Sequence, residues 1–221
     1  MYFASRVQAG RMLATQLAKK YKDDNCAVLA LGDGGAMVGA QIAKQLHCVL
    51  TLLASSEIML PREPQPIAGI TAGGVVSYNH SYSTGELEEM VGENYGFIEQ
   101  EKLSHMHDLN QLLGKGGTIN KALLKDHTVI IVSDGLSTGF PVDLAAEFLK
   151  PVAIDRMVVA TPFASVSAVD RMHVLADDLF CLNTIHDYMD TDHYYDTQDV
   201  PDHKTVLETI ENIIANWKTT A

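Results

Sequence analysis

Little in this chain suggests export, membrane insertion or metal binding through sulfur. It carries only three cysteines in 221 residues. Cys26, Cys48 and Cys181 sit in or beside apolar runs without the paired spacing of a zinc site, so they read as reduced, packed thiols. No apolar run approaches the roughly 18 residues of a membrane span. The opening Met1-Tyr2-Phe3-Ala4-Ser5-Arg6 turns polar too soon for the core of a signal peptide. These absences predict a cytoplasmic protein with no membrane partner. Proline- or serine-rich linkers, internal repeats and low-complexity tracts are also missing, which predicts a single domain over 1–221. Basic residues are few: 16 Lys and Arg face 28 Asp and Glu, a formal net charge of −12. Their one cluster is Lys19-Lys20-Tyr21-Lys22. That balance argues against a nucleic-acid partner, and it obliges any anionic ligand to find backbone amides or a cation that offset the field.

What is present is apolar surface in alternating elements. Hydrophobic residues make up 47% of the chain, enough to cover a sheet on both faces. Ser5 and Gln8 have capping-box spacing, and Ala9, Leu13, Leu17 and Tyr21 follow at four-residue intervals, so a helix is predicted over 6–22 with Arg6 and Arg11 facing outward. The run 26–31 reads as a strand, Gly32-Asp33-Gly34-Gly35 as a glycine turn, and Val38, Ile42, Ala43 and Leu46 as the next helix. A buried strand over 49–54 implies a parallel sheet. The proline- and glycine-rich stretch from Ser55 to Gly74 reads as a loop, part of a flexible lid over about 55–84 that ends in extended Val75-Val76-Ser77-Tyr78. Ser83 and Glu86 cap a helical stretch bearing Leu103, Met106, Leu109 and Leu113, which stops at Gly114-Lys115-Gly116-Gly117; His105 and His107 read as surface residues. Thr128–Val132 is the strongest strand, and Pro141 opens the helix after it. Strands 157–160 and 179–182 enclose a helix over 167–175, and Val206, Ile210, Ile213, Ile214 and Trp217 mark a last helix with one packed face. The fold predicted is α/β, doubly wound, with a mainly parallel sheet flanked by helices.

Two segments carry chemistry. In Ser133-Asp134-Gly135-Leu136-Ser137-Thr138-Gly139 a strand ends in an acid and a small-residue turn before a helix. Backbone amides with the Ser137 and Thr138 hydroxyls suit a phosphate at the helix's positive end, while Asp134 suits ribose hydroxyls. The segment His186, Asp187, Asp190, Asp192, His193, Asp196 and Asp199 is the densest acid and histidine cluster. Its spacing is not helical, which favours a solvated loop over a metal site or a phosphohydrolase centre.

The strand and turn from Val129 to Gly139 resemble the signature of type I phosphoribosyltransferases. Arg6-Val7-Gln8-Ala9-Gly10, the turn Leu31–Gly35 and the segment Asp190–Val200 extend the likeness to stand-alone bacterial members across nearly the whole chain. The resemblance implies binding of 5-phosphoribosyl 1-pyrophosphate or a nucleoside monophosphate, and transfer of the phosphoribosyl group to a nitrogen acceptor. It further implies Asp134 as the catalytic acid at the ribose, Ser133 to Gly139 around ribose and 5′-phosphate, and Asp33, Gly34 and Gly35 beside the pyrophosphate. Mg²⁺ would arrive on the bound pyrophosphorylated sugar, with no separate metal site, and its sharing with Asp33 is the main route by which activity would survive departures from the family's pattern; pairing as a homodimer is common among relatives. A small hood over about 183–202 is implied too, where Tyr188, Tyr194 or Tyr195 could stack on a base. Departures from the pattern are Ser133 for the first of two acids, Asp33 for a basic residue, Glu57 for a lysine and Pro141 for a threonine. Ser137 stands where purine-salvage members place a further acid, so no general base is assigned. Weakened pyrophosphate binding follows, with a non-catalytic nucleotide- or phosphate-binding regulatory domain as the alternative.

Overall fold

The computed structural model describes residues 2–113 and 121–217. Strand β1 (Cys26–Leu31) is apolar throughout and buried along almost all of its length. A strand like that needs cover on both faces. It lies between β2 (Val49–Leu53) and β6 (Thr128–Val132), with β7 (Arg156–Ser165) and β8 (Asp178–Ile185) beyond, in the order β2-β1-β6-β7-β8, every pair parallel. Alternate side chains divide between two cores. Val28, Ala30, Ile130 and Val132 pack under α1 (Arg6–Tyr21), α2 (Gly32–Leu46) and α7 (His203–Trp217). Ala27, Leu29, Val129 and Ile131 pack under α5 (Phe140–Leu149) and α6 (Val166–Leu175). The doubly wound parallel sheet is thus present, and its strand order reverses between β1 and β6.

Three local readings need correction. Asp33, Gly34 and Gly35 do not form a turn ahead of a helix: α2 begins at Gly32, and the change of direction is made by Gly32 alone, whose φ of +68° lies in the left-handed region that favours glycine. The stretch 55–74 is not a loop. It contributes β3 (Ser55–Ile58) and β4 (Ala68–Thr71), which pair antiparallel with each other and with β5 (Val76–Tyr78) in a second, three-stranded sheet. All three prolines of the stretch fall between β3 and β4. The helical stretch after Ser83 is two helices, α3 (Thr84–Glu93) and α4 (Tyr95–Leu113), separated at Asn94, whose side-chain amide donates to the Met90 carbonyl at 2.9 Å.

The capping box of Ser83 and Glu86 is formed. His105, read as a surface residue, is half-buried and ties α4 to β3 through the Ser56 hydroxyl at 2.9 Å. The second sheet has its own core of Ile58, Leu60, Ile67, Ala68 and Ile98. It docks on α5 at Gly69, where a Cβ would lie 3.0 Å from Leu144 and 3.1 Å from Phe140. Strands β7 and β8 run longer than their apolar cores, carrying the chain up to the site. Val206, Ile210 and Ile213 bury one face of α7. The stop at 114–117 and the side chains of Leu113, Ile214 and Trp217 lie outside the described residues. Cys26 and Cys48 are buried free thiols, pushed up to about 11 and about 12, chiefly by burial.

Candidate functional site

Ligands of open α/β sheets bind beyond the carboxyl ends of strands where the order reverses. Here that crevice lies between the ends of β1 and β6, and it brings the two sequence motifs together. Gly34, in the first turn of α2, touches the Asp134 carboxylate so closely that a Cβ would stand 2.0 Å from Oδ2. Gly35 rests on the Val132 carbonyl, 2.7 Å from where its Cβ would be. Helices α2 and α5 both start here without a side-chain cap, whereas α1, α3 and α6 are capped by Ser5, Ser83 and Ser165. At the start of α5 Pro141 has no N–H and the Val142 amide donates to the Gly139 carbonyl at 3.0 Å, so an anion between the two strand ends is favoured by the positive ends of both macrodipoles and by the uncapped first turn of α2.

Asp134 is held by a residue that the sequence placed elsewhere. Arg6, expected to face outward, is 2% exposed. Its Nε donates to Asp134 Oδ2 at 2.7 Å and its Nη2 to Asp192 at 2.5 Å, while Nη1 stands 3.6 Å from Asp199. Its guanidinium lies 4.4 Å from the ring centroid of Tyr195, and the Tyr195 hydroxyl donates to the Asp134 carbonyl at 2.6 Å. The acidic segment is therefore not a solvated loop over its whole length: Asp192 and Asp199 are partners of Arg6, and Asp190 accepts from the His193 amide. Among the described residues no group of three or more His, Cys, Asp or Glu side chains is arranged to hold a metal ion. Burial holds the Asp134 carboxyl above the usual carboxylate range, with Arg6 pulling the other way.

The turn itself divides in two. Ser133 is buried, and its hydroxyl donates to the Gly135 carbonyl at 2.9 Å and accepts from the Gly135 amide at 3.3 Å. The Leu136 side chain is buried, and its amide donates to the Phe163 carbonyl. Ser133 and Gly135 thus spend these donors inside the turn and Leu136 spends its amide on β7, while Ser137, Thr138 and Gly139, the phosphate cradle expected from the sequence, run up to the start of α5, where the turn opens on a cavity of about 290 Å³. Asp33 turns to His203 at the start of α7, Oδ1 to Nδ1 at 2.8 Å. Glu57 lies exposed on β3, opposite Gly69.

Of the three tyrosines expected to stack on a base, Tyr194 and Tyr195 are buried against Phe3 and Phe163, so their rings serve the protein's own core. Tyr188 is half-buried, with its hydroxyl on Thr191 at 2.9 Å. The same cluster pins the N-terminal arm, since the Phe3 amide donates to the Tyr194 carbonyl at 3.0 Å and the Asp196 amide to the Phe3 carbonyl at 2.9 Å. Arg6 entered the sequence reading only as part of the resemblance over Arg6–Gly10, and its role was missed because helical periodicity reports only on its own helix. A physical signal was also available: a cation in the first turn of a helix opposes the macrodipole, and the acids at 187–199 outnumber nearby bases.

Comparison with known proteins bears on this geometry. The family model described as phosphoribosyl transferase domain matches residues 3–198. Two Mycobacterium tuberculosis proteins, from strains CDC 1551 and H37Rv and provisionally named phosphoribosyl transferases, are 27% identical over 183 residues, 82% of this chain and 40% of theirs. The chain thus spans two fifths of the length of those curated relatives. Among solved structures, TT1426 from Thermus thermophilus matches with a TM-score of 0.72 and 24% identity over 98% of this chain and 99% of that one. AQ2163 from Aquifex aeolicus matches at 0.51 and 10% identity over 92% and 85%. These two show the shared fold.

Proposed function

The chain belongs to the phosphoribosyl transferase domain family, and from that premise we propose that it binds the ribose 5-phosphate part of 5-phosphoribosyl 1-pyrophosphate or of a nucleoside monophosphate and transfers the phosphoribosyl group to a nitrogen acceptor. The observation that carries this reading is the buried Arg6–Asp134 pair set between two uncapped helix starts. In the transfer, the bond from the ribose C1 to pyrophosphate breaks as the bond to nitrogen forms, and positive charge builds on the ring. Asp134 accepts from the ribose hydroxyls and offsets that charge. Arg6 and Tyr195 hold it in place. The Thr138 hydroxyl and the amides of Ser137 to Gly139 take the 5′-phosphate, and the first amides of α2 are assigned to the pyrophosphate.

Mg²⁺ is proposed to enter on the substrate, because Asp33 and Asp134, the acids nearest the crevice, are each already paired. When bound, the ion neutralises pyrophosphate charge that would otherwise meet Asp33.

A second reading is favoured by Asp33 itself, a carboxylate in the first turn of α2. It would leave a phosphate-binding regulatory domain without turnover. Calorimetric titration with 5-phosphoribosyl 1-pyrophosphate and with ribose 5-phosphate, each with and without Mg²⁺, separates the two. Tighter, Mg²⁺-dependent binding of the pyrophosphorylated sugar is the expected result. Equal binding of both favours the regulatory domain, and binding of neither overturns both readings.

A further inference from the structure

The cavity at the end of the cradle is completed by residues outside the motif. Thr138 and Gly139 form one wall, at the start of α5. Ser167 and Arg171 of α6 form a second, and His80 and Ser81, just past β5, form a third. The arrangement of charge is informative. One carboxylate, Asp143, lines the cavity, and it is 5% exposed and engaged by both Nε, at 2.8 Å, and Nη2 of Arg171. The pair is formally neutral, yet a guanidinium has five N–H donors, so Arg171 retains donors after satisfying Asp143. Its stem is fixed where it matters: a Cβ on Gly139 would lie 2.5 Å from the Arg171 Cβ and Cγ, so the side chain runs directly beside the start of α5.

The third wall is equally well built. Asn79 is 2% exposed; its amide donates to the Pro66 carbonyl at 2.8 Å and its Oδ1 accepts from the Ser81 amide at 3.0 Å. The Tyr82 hydroxyl donates to the Gln65 carbonyl at 3.1 Å. His80 and Ser81 therefore sit on a braced turn. Hydroxyls from three separate elements, a guanidinium with donors to spare and an imidazole converge on a space whose one acid is neutralised. At about 290 Å³ the cavity falls just below the range of sites for drug-sized ligands, roughly 300–1,000 Å³, a size that suits the phosphate end of a sugar phosphate.

We propose that Arg171 and His80 are ligands of the phosphate monoester, so that one anion joins α5, α6 and the second sheet. This inference rests on the proposed function and goes beyond it, because it assigns recognition of the phosphate to residues that the signature does not contain. A phosphate gripped this way also holds the second sheet against α5.

The test is calorimetric titration of ribose 5-phosphate, with inorganic phosphate as a second probe, into the full chain and three variants. His80 is exposed, so His80→Ala keeps the fold; an Arg171→Gln, Asp143→Asn double variant removes the charges together and leaves no carboxylate unpaired. Each is expected to weaken ribose 5-phosphate binding about tenfold or more, as loss of a hydrogen bond to a charged group does. Thr138→Val tests the cradle separately. If Thr138→Val weakens binding while His80→Ala and the double variant match the parent, the inference falls and the cradle stands. Parent-like affinity of His80→Ala overturns the three-walled site even if the double variant fails to fold, and a parent chain that binds neither probe overturns the inference and the proposed function together.

Discussion

Arg6 and Asp134 pull in opposite directions on stability and on binding. Burial raises the Asp134 carboxyl, and Arg6 only partly offsets that. The folded state therefore holds this proton more tightly than the unfolded chain. The stability contribution is fully present below the unfolded carboxyl value and is lost as pH rises through the folded one, so the ionised form costs stability at neutral pH. Asp134→Asn, which keeps an oxygen acceptor for Arg6 Nε and leaves Asp192 and Asp199 to offset the guanidinium charge, should then melt close to the parent while losing ribose 5-phosphate binding. Arg6→Met strands a buried carboxylate and should cost about 3–5 kcal/mol, read as a lower denaturant midpoint. A fall in stability for both variants alike would sink this account. Asp134 was legible in the sequence because its role follows from a local turn. Arg6 was not, because every acid it meets lies more than a hundred positions further along the chain: Asp134, Asp192 and Asp199.

The two central strands, buried on both faces, were readable to the residue, whereas β7 and β8 run beyond the expected 157–160 and 179–182. Cys26–Leu31 and Thr128–Val132 are apolar or β-branched runs bounded by polar turns, and their strands have those ends. In the second sheet Val76–Tyr78 was read as extended, but β3 and β4 escaped for a physical reason: they are four residues long each, too short for a period to declare itself, and they are fixed by antiparallel pairing and by docking on α5. Gly69 is the hinge of that docking, since any side chain there meets Leu144 and Phe140. Gly69→Val should therefore lift β4 and β5 from α5 while leaving the five-stranded sheet intact. Hydrogen exchange is the measurement: amides of 68–71 and 76–78 should lose protection, and those of 128–132 should keep it. Equal loss in both regions would mean that the two sheets open as one unit.

At the scale of the whole molecule, a net charge of −12 surrounds a site read here as phosphate-binding. The overall charge announced the difficulty but not its solution, which lies in where donors are placed and in how the acids near the site are spent. Asp143 is matched by Arg171, and Asp134 and Asp192 by Arg6, while Asp33 is held by a hydrogen bond with the His203 imidazole. Contacts inside the cavity act over a few ångströms and are little affected by salt. The remaining surface acids act over longer distances, and the screening length falls from about 30 Å at 0.01 M salt to about 8 Å at 0.15 M. Raising KCl across that interval should therefore tighten ribose 5-phosphate binding, because it removes the distant repulsion and spares the near attraction. Titrations at fixed pH across the series measure the slope. Affinity that falls as salt rises would mean that unpaired cations dominate the field at the cavity, which contradicts the pairing of acids and bases on which the site is built.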